Sequence, residues 1–105
     1  MEEQMNLDVI MQLIMFGGDA KSNAMEAIQA AKTGDFELAK AKIAEAGASL
    51  TKAHHSQTEM LTKEAQGERT ELSLLMVHGQ DHLMTSIAFT DLAKEIVELY
   101  ETIKK

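Results

Sequence analysis

No proline occurs in this chain of 105 residues, and that absence constrains the fold more than any other feature. Proline is the residue that most strongly interrupts a helix. The common residues here are Ala, Leu, Met, Glu, Lys and Gln, which are strong helix formers. Two short segments have the composition of helix-ending turns: KTGDFE at 32–37 and AQGERTELS at 65–73. The chain is therefore predicted to be all-α.

Each of these two segments has a glycine where one helix can end and a polar residue where the next can begin. Gly34 and Gly67 suit the position just after a helix C-terminus. Asp35 suits the N-cap of the second helix, and Thr70 or Ser73 suits that of the third. These boundaries predict helices at roughly 4–32, 36–66 and 70–103. Short connections favour an antiparallel three-helix bundle, with residues 1–105 as a single domain.

The charge and the cysteine content exclude several functional classes. A formal net charge of -7 argues against nucleic-acid binding, which needs clustered Lys and Arg, and favours a protein partner with a basic surface. The chain has no cysteine, so it has no thiol nucleophile, and a reducing compartment suits it. The amino-terminal MEEQMNLDVIMQLIMF has an apolar run of about eight residues, too short to span a membrane. A cytoplasmic location is expected.

Apolar periodicity is regular in the second helix and excessive in the third. The seam of the second helix, with steps of three and four, is Phe36, Ala39, Ile43, Ala46, Leu50, Ala53, Gln57 and Met60. The third helix has a comparable seam of Leu75, Gly79, His82, Ser86, Phe89, Ala93, Ile96, Tyr100 and Ile103. It also has apolar residues on other faces: Leu74, Met76, Val77, Leu83, Met84, Ile87, Leu92 and Leu99. One bundle covers only one stripe of a long helix, so the third helices are expected to pack together in a homo-oligomer.

Two glycines lie in the middle of the first predicted helix. Gly17 and Gly18 each cost a helix about 1 kcal/mol relative to alanine, and Asp19 follows where a resumed helix could be capped. The pair is typical of a kink, which would fit the first helix around its neighbours. The same pair also permits a close approach of another group at a functional site.

Polar residues are concentrated near the start of the third helix, in MVHGQDHLMTSI at 76–87. His78, Asp81, His82 and Thr85 occupy positions i, i+3, i+4 and i+7, which form one stripe on a helix. Three interpretations are open for this stripe. It could bind a metal, it could carry a phosphoryl group on an imidazole, or its histidines could be ordinary packed residues with satisfied hydrogen bonds.

The spacing of the histidines allows the metal interpretation but does not match a known motif. Two histidines four apart can share an ion, yet Gly79 stands where a zinc protease has its catalytic glutamate. No histidine has Glu three residues before it, as di-iron bundles require. Asp81 favours a functional interpretation, because a carboxylate on a helix packed on every side is costly unless it is paired or metal-bound.

A phosphoryl acceptor needs an exposed imidazole edge, little bulk beside it and donors for the phosphoryl oxygens. His78 followed by Gly79 meets the first two requirements. His82 is one turn away and can reach the same group, whereas Gln80, at i+2, points away from His78. His54 could border this site from the second helix, but His54 and His55 are more typical of exposed bundle histidines.

With these residues in view, the chain resembles the enzyme IIA component of the bacterial sugar phosphotransferase system, of the lactose/cellobiose (diacetylchitobiose) class. The resemblance covers nearly the whole chain, through MFGGDAKSNAMEAIQAAKTGDF, KAHHSQTEML, EAQGE and LLMVHGQDHLMTS. The most specific part is HGQDHLMT, at 78–85, which matches the family's active-site signature.

The resemblance implies a phosphocarrier that takes a phosphoryl group from phospho-HPr onto Nε2 of His78, giving tele-phosphohistidine, and passes it to the cognate enzyme IIB. That transfer serves the uptake and phosphorylation of a β-linked disaccharide such as cellobiose, chitobiose or lactose, with only indirect association with the membrane component IIC. Gln80 and His82 match signature positions at the catalytic site.

The resemblance further implies that the bundle assembles as a homotrimer. Asp81 matches an aspartate that meets its symmetry mates at the trimer axis and binds a divalent metal, taken as Mg²⁺. The alternative hypothesis is a metal-binding structural helical oligomer that transfers no phosphoryl group.

Overall fold

The computed structural model describes the backbone of residues 2–104 and the side chains of residues 7–104. It contains three long helices: α1 (Glu2–Lys32), α2 (Phe36–Ala65) and α3 (Leu74–Lys104). Within residues 2–104 every regular element is a helix, so the all-α prediction is confirmed. The bundle is elongated, with extents of 54 × 21 × 19 Å.

The three helices alternate in direction, so that α1 and α3 run parallel and α2 runs antiparallel to both. At one end Gly79 of α3 lies against Ile10 of α1. At the other end Lys104 Nζ donates to the Lys32 carbonyl oxygen over 3.3 Å. Contacts at both ends of the rods show that α1 and α3 remain adjacent along most of their length.

The turn between α1 and α2 forms as the sequence predicts. Gly34 adopts a φ of 86°, a left-handed conformation that favours glycine. The Asp35 amide donates to the Ala30 carbonyl over 2.9 Å, which satisfies an otherwise free group at the end of α1. The Asp35 carboxylate then accepts from the Leu38 amide over 3.2 Å, so this side chain caps α2.

The second turn also contains a left-handed glycine, but α3 begins four residues later than the predicted start at 70. Gly67 has a φ of 95°, and the Glu68 amide donates to the Lys63 carbonyl over 2.9 Å. Of the two N-cap candidates, Ser73 is the one used, because its Oγ accepts from the Met76 amide over 3.1 Å. Residues 68–73 form an irregular segment instead of a first helical turn.

The core is built mainly from alanine, which allows the helices to approach closely. All eight residues of the predicted α2 seam are buried or half-buried, so that prediction is confirmed. Large side chains fill the core near the amino-terminal half of α3, where Leu13 and Leu83 are fully buried. The remaining clusters contain Ala20, Ala24 and Ala27 with half-buried aromatic and aliphatic neighbours.

One face of α3 is apolar and is not covered by the other two helices. Met76 and Leu83, both off the predicted seam, are buried. Other apolar residues of α3 are exposed over 41–87% of their surface: Leu74, Leu75, Val77, Met84, Leu92, Leu99 and Ile103. A single bundle therefore leaves part of the apolar surface of α3 in water, as the sequence pattern indicates. No helix of the described chain is long and apolar enough to cross a membrane.

Replacing the buried Leu83 by alanine is expected to lower the free energy of unfolding by about 3 kcal/mol, since it leaves a cavity between α1 and α3. Leu61→Ala is the matched control, because Leu61 is 59% exposed and its truncation should change stability by about 0.5 kcal/mol or less. Denaturant unfolding at one fixed protein concentration measures both. Equal losses in the two variants would contradict this account of the core.

Candidate functional site

The two histidines of the signature lie side by side on α3. The ring centroids of His78 and His82 are 6.0 Å apart, and the ring planes are inclined by 26°. His78 is exposed, whereas His82 is half-buried. The prediction that His82 can reach the same group as His78 agrees with this geometry. The exposed ring is accessible to a partner, and the half-buried ring is held by its surroundings.

His82 is held against α1 at the glycine pair. A Cβ at Gly17 would lie 3.0 Å from His82 Cδ2 and 3.4 Å from the His82 carbonyl oxygen. A Cβ at Gly18 would lie 3.3 Å from His82 Nε2. Side chains at these positions would displace the ring, so the glycines serve a close approach of α1 and α3.

The glycine pair does not interrupt α1. The helix is continuous from Glu2 to Lys32, so the predicted resumption of a helix capped by Asp19 is wrong. The Asp19 carboxylate instead accepts from Ser49 Oγ of α2 over 2.5 Å and from Asn23 Nδ2 over 3.3 Å. Its partners belong to the packing of α1 on α2, which explains why an acidic residue follows the glycines.

The surroundings of His82 favour its neutral form. Burial lowers the pKa of His82, and the charges of Lys21 and His78 lower it further. A hydrogen bond to the backbone of Ile14 acts in the opposite direction. Lys21 Nζ is placed nearby, 3.4 Å from Thr85 Oγ1. A neutral imidazole has one N–H donor and one acceptor nitrogen, and the bond to Ile14 uses the donor, since donation to a carbonyl oxygen is what raises the pKa of a histidine.

Gly79 has a different role from the one predicted. The sequence suggested that it leaves free space beside the His78 ring, but the structure buries it against α1. A Cβ there would lie 3.4 Å from Ile10 Cγ2 and 3.6 Å from Leu13 Cδ1. Gly79 therefore allows α1 and α3 to pack closely, and the exposure of His78 follows from its position on the helix.

Gln80 faces α2, and Asp81 is exposed. Gln80 is half-buried on the side facing α2, where its Oε1 accepts from Gln57 Nε2 over 2.6 Å. Asp81 is exposed, between the exposed Val77 and Met84. One chain thus brings the His78 and His82 rings together and directs Gln80 towards α2. The expectation that Gln80 points away from His78 agrees with this arrangement.

Metal-ligating side chains do not cluster in the part of the chain that the structure describes. Among the described side chains there is no group of three His, Cys, Asp or Glu residues that could hold an ion. His54 and His55 are exposed on α2, and His55 Nε2 lies 3.4 Å from Glu59 Oε1. They match the interpretation as ordinary exposed histidines.

Two residues near the site were not identified from the sequence. Lys21 approaches His82 from α1. Its helical spacing could have indicated this, because Lys21 lies one turn after the glycine pair on the same helix face. For Gln57 the signal is its place as the polar residue of the predicted α2 seam, but that pattern does not predict its hydrogen bond to Gln80. That bond depends on the register between α2 and α3, which no local pattern specifies.

The chain belongs to the family described as PTS system, lactose/cellobiose-specific IIA subunit, whose model matches residues 8–101. It is therefore an enzyme IIA component of the sugar phosphotransferase system, in the class that handles lactose, cellobiose and related sugars. Its sequence is 54% identical over 103 residues to the lichenan-specific phosphotransferase enzyme IIA component of Bacillus subtilis, covering 98% of this chain and 93% of that protein. It is 46% identical over 90 residues to the lactose-specific EIIA component of Lactococcus lactis, covering 86% of each.

Solved structures agree with this assignment. The cellobiose-specific enzyme IIA of Bacillus anthracis superposes with a TM-score of 0.91 at 42% identity, over 94% of this chain and 91% of that one. The IIA(chitobiose) of Escherichia coli, solved in complex with HPr, superposes with a TM-score of 0.83 at 39% identity, over 95% and 97% of the two chains.

Gly17→Ala and Gly47→Ala should have opposite effects on stability. Gly47 lies inside α2 with nothing within 4 Å of an added Cβ, so alanine there should raise the free energy of unfolding by about 1 kcal/mol. Alanine at Gly17 would contact the His82 ring and backbone, and a loss of about 1 kcal/mol is expected. Denaturant unfolding compares the two variants, and equal stabilisation by both would refute the close approach at His82.

Proposed function

We propose that His78 is the phosphoryl acceptor of this IIA component, that phospho-HPr is its donor and that the cognate enzyme IIB is its acceptor. The observation that carries this proposal is the pairing of an exposed His78 with a half-buried His82, whose rings lie 6.0 Å apart. The Escherichia coli relative, 39% identical, is known in complex with HPr. The net charge of -7 suits a partner with a basic surface.

The transfer is a displacement at phosphorus between two imidazoles. Nε2 of neutral His78 attacks in line, a new N–P bond forms, and the N–P bond to the histidine of HPr breaks. The electron pair of the broken bond remains on the HPr ring. His82 donates to a phosphoryl oxygen in its protonated form, because the single N–H of the neutral ring donates to the Ile14 carbonyl. The negative charge of the arriving phosphoryl group favours that protonation. Transfer to IIB repeats the displacement with His78 as the leaving group.

The exposed apolar face of α3 supports a homotrimer. Val77, Met84, Leu92 and Leu99 recur at steps of seven and eight residues, so they form one stripe along the helix. The exposed Asp81 and Glu95 lie on the same stripe. Water-exposed stripes of this length mark an interface between proteins. In the trimer the three α3 helices pack around the symmetry axis and cover this stripe, while α1 and α2 form the outer layer.

Asp81 fits the role of metal ligand at that axis. It lies within the stripe between Val77 and Met84, so three-fold symmetry brings three copies of its carboxylate to one level. Mg²⁺ prefers oxygen ligands in an octahedral arrangement, which three carboxylates and water molecules can supply. The ion would neutralise charge that is otherwise costly to bury.

Three-fold symmetry would also bring Gln80 to the catalytic site. At about 100° per residue, His78 lies about 60° to one side of Asp81 on the helical wheel, and Gln80 lies about 100° to the other. Neighbouring copies around an axis meet through opposite sides of α3. The His78 of one copy therefore faces the Gln80 of the next, which explains how Gln80 contributes although it points away from its own His78.

The substrate sugar is proposed to be a β-linked disaccharide such as cellobiose, chitobiose or lactose. The supporting observation is that relatives named for lichenan and lactose share 54% and 46% of their aligned residues with this chain. The phosphoryl group reaches the sugar through IIB and the membrane component IIC, with which this chain associates only indirectly. Its site of action is the cytoplasm.

Replacing His78 by alanine should abolish labelling of the protein by phosphoenolpyruvate, enzyme I and HPr, because the attacking nitrogen is removed. His54→Ala is the matched control, since His54 is an exposed histidine of α2, and it should be labelled like the wild type. The measurement is the amount of acid-labile phosphoryl group per chain. Labelling of His78→Ala at the wild-type level would exclude His78 as the acceptor.

Asp81→Asn should remove the bound Mg²⁺ and weaken the trimer, because three neutral amides replace three carboxylates around the ion. Glu64→Gln, which removes an exposed carboxylate of α2, should retain both properties. Metal analysis and sedimentation at equal protein concentration test the pair. A metal lost from His78→Ala and His82→Ala but retained by Asp81→Asn would instead support the metal-binding oligomer without phosphoryl transfer.

A further inference from the structure

The hydrogen bond between Gln57 and Gln80 has a defined direction. Gln57 Nε2 lies 2.6 Å from Gln80 Oε1 and 3.8 Å from Met84 Sδ. The oxygen and the thioether sulfur are both acceptors, so the amide nitrogen of Gln57 has an acceptor for each of its two N–H groups. Turning the Gln57 amide over would place its oxygen against the Met84 sulfur, which is an acceptor, and would force the Gln80 amide to turn as well. The packing of α2 on α3 therefore selects one orientation.

That orientation determines which end of the Gln80 amide is free. The oxygen and the nitrogen of an amide point to opposite sides of its carbon. Because Oε1 of Gln80 is turned towards Gln57 on α2, its NH₂ group is turned away from α2. The free end of Gln80 is thus a pair of N–H donors, and Gln80 is only half-buried, so these donors are accessible to another molecule.

We propose that Gln57 is a positioning residue for phosphoryl transfer, which holds the Gln80 amide so that its NH₂ group donates to the oxygens of a phosphoryl group. The inference rests on the proposed function, in which a neighbouring copy presents its phosphorylated His78 to this side of α3. Phosphoryl oxygens are acceptors. A reversed Gln80 would present its carbonyl oxygen to them, and the two acceptors would repel each other.

Gln57→Glu and Gln57→Met separate this role from a merely structural one. A glutamate at 57 retains a hydrogen bond between α2 and α3 but accepts only, so Gln80 must donate its NH₂ inward and present oxygen outward. A methionine has similar length and imposes no orientation. Transfer from phospho-HPr is measured at saturating donor, together with KM and with unfolding by denaturant.

The expected result is a fall in kcat of about tenfold for Gln57→Glu and a smaller fall for Gln57→Met. KM for phospho-HPr should change little, and Gln57→Glu should be at least as stable as Gln57→Met. Equal rates for the wild type and Gln57→Glu would overturn the proposal.

Gln80→Ala supplies the control for the added negative charge. In that background Gln57→Glu should cause no further loss of kcat, because there is no amide left to turn. An equal fall in kcat in both backgrounds would show that the added negative charge alone slows transfer, and would overturn the proposal. A normal rate of transfer for Gln80→Ala would also overturn it. If the wild-type protein is not labelled at all, the proposed function itself fails. If the wild-type protein is labelled normally but Gln57→Glu transfers at the same rate, only the proposal about Gln57 fails.

Discussion

The close approach of α1 to α3 is the constraint on which the rest of the structure depends. It requires hydrogen in place of a side chain at Gly17 and Gly18, where a Cβ would meet the His82 ring, and at Gly79, where one would meet Ile10. Glycine within a helix costs about 1 kcal/mol relative to alanine. That cost is offset by the burial of Leu13 and Leu83 at the same level, and the approach also holds His82 beside His78.

The three faces of α3 have different surroundings, and the helical period places each signature residue on one of these faces. His82 is directed to α1, where burial and Lys21 keep it neutral. Gln80 is directed to α2, where Gln57 orients its amide. Asp81 is on the third face, which neither helix covers. Residues adjacent in sequence thus acquire different surroundings, since successive positions on a helix differ by about 100°.

Features that depend on local chemistry were predictable from the sequence, and those that depend on the register between helices were not. The Gly34 and Asp35 turn follows from residue preferences within a few positions, and the pairing of His78 with His82 follows from their spacing. The sequence predicts the start of α3 at 70 and not at 74, because threonine and serine are both good N-caps and the local pattern does not rank Thr70 against Ser73. The burial of Gly79 and the bond from Gln57 are set by how the helices align.

In the proposed trimer, Asp81 explains why an apolar stripe would give one assembly instead of several. A stripe of Val77, Met84, Leu92 and Leu99 alone would be covered equally by two or four copies, or by helices shifted by one heptad. A carboxylate in the stripe makes most of these arrangements costly, because it would be buried without a partner. Three copies aligned at one level could share a divalent ion, and the same alignment would place each His78 against the Gln80 of its neighbour. In the proposed trimer, the residue that selects the assembly would therefore also bring the two parts of the catalytic site together.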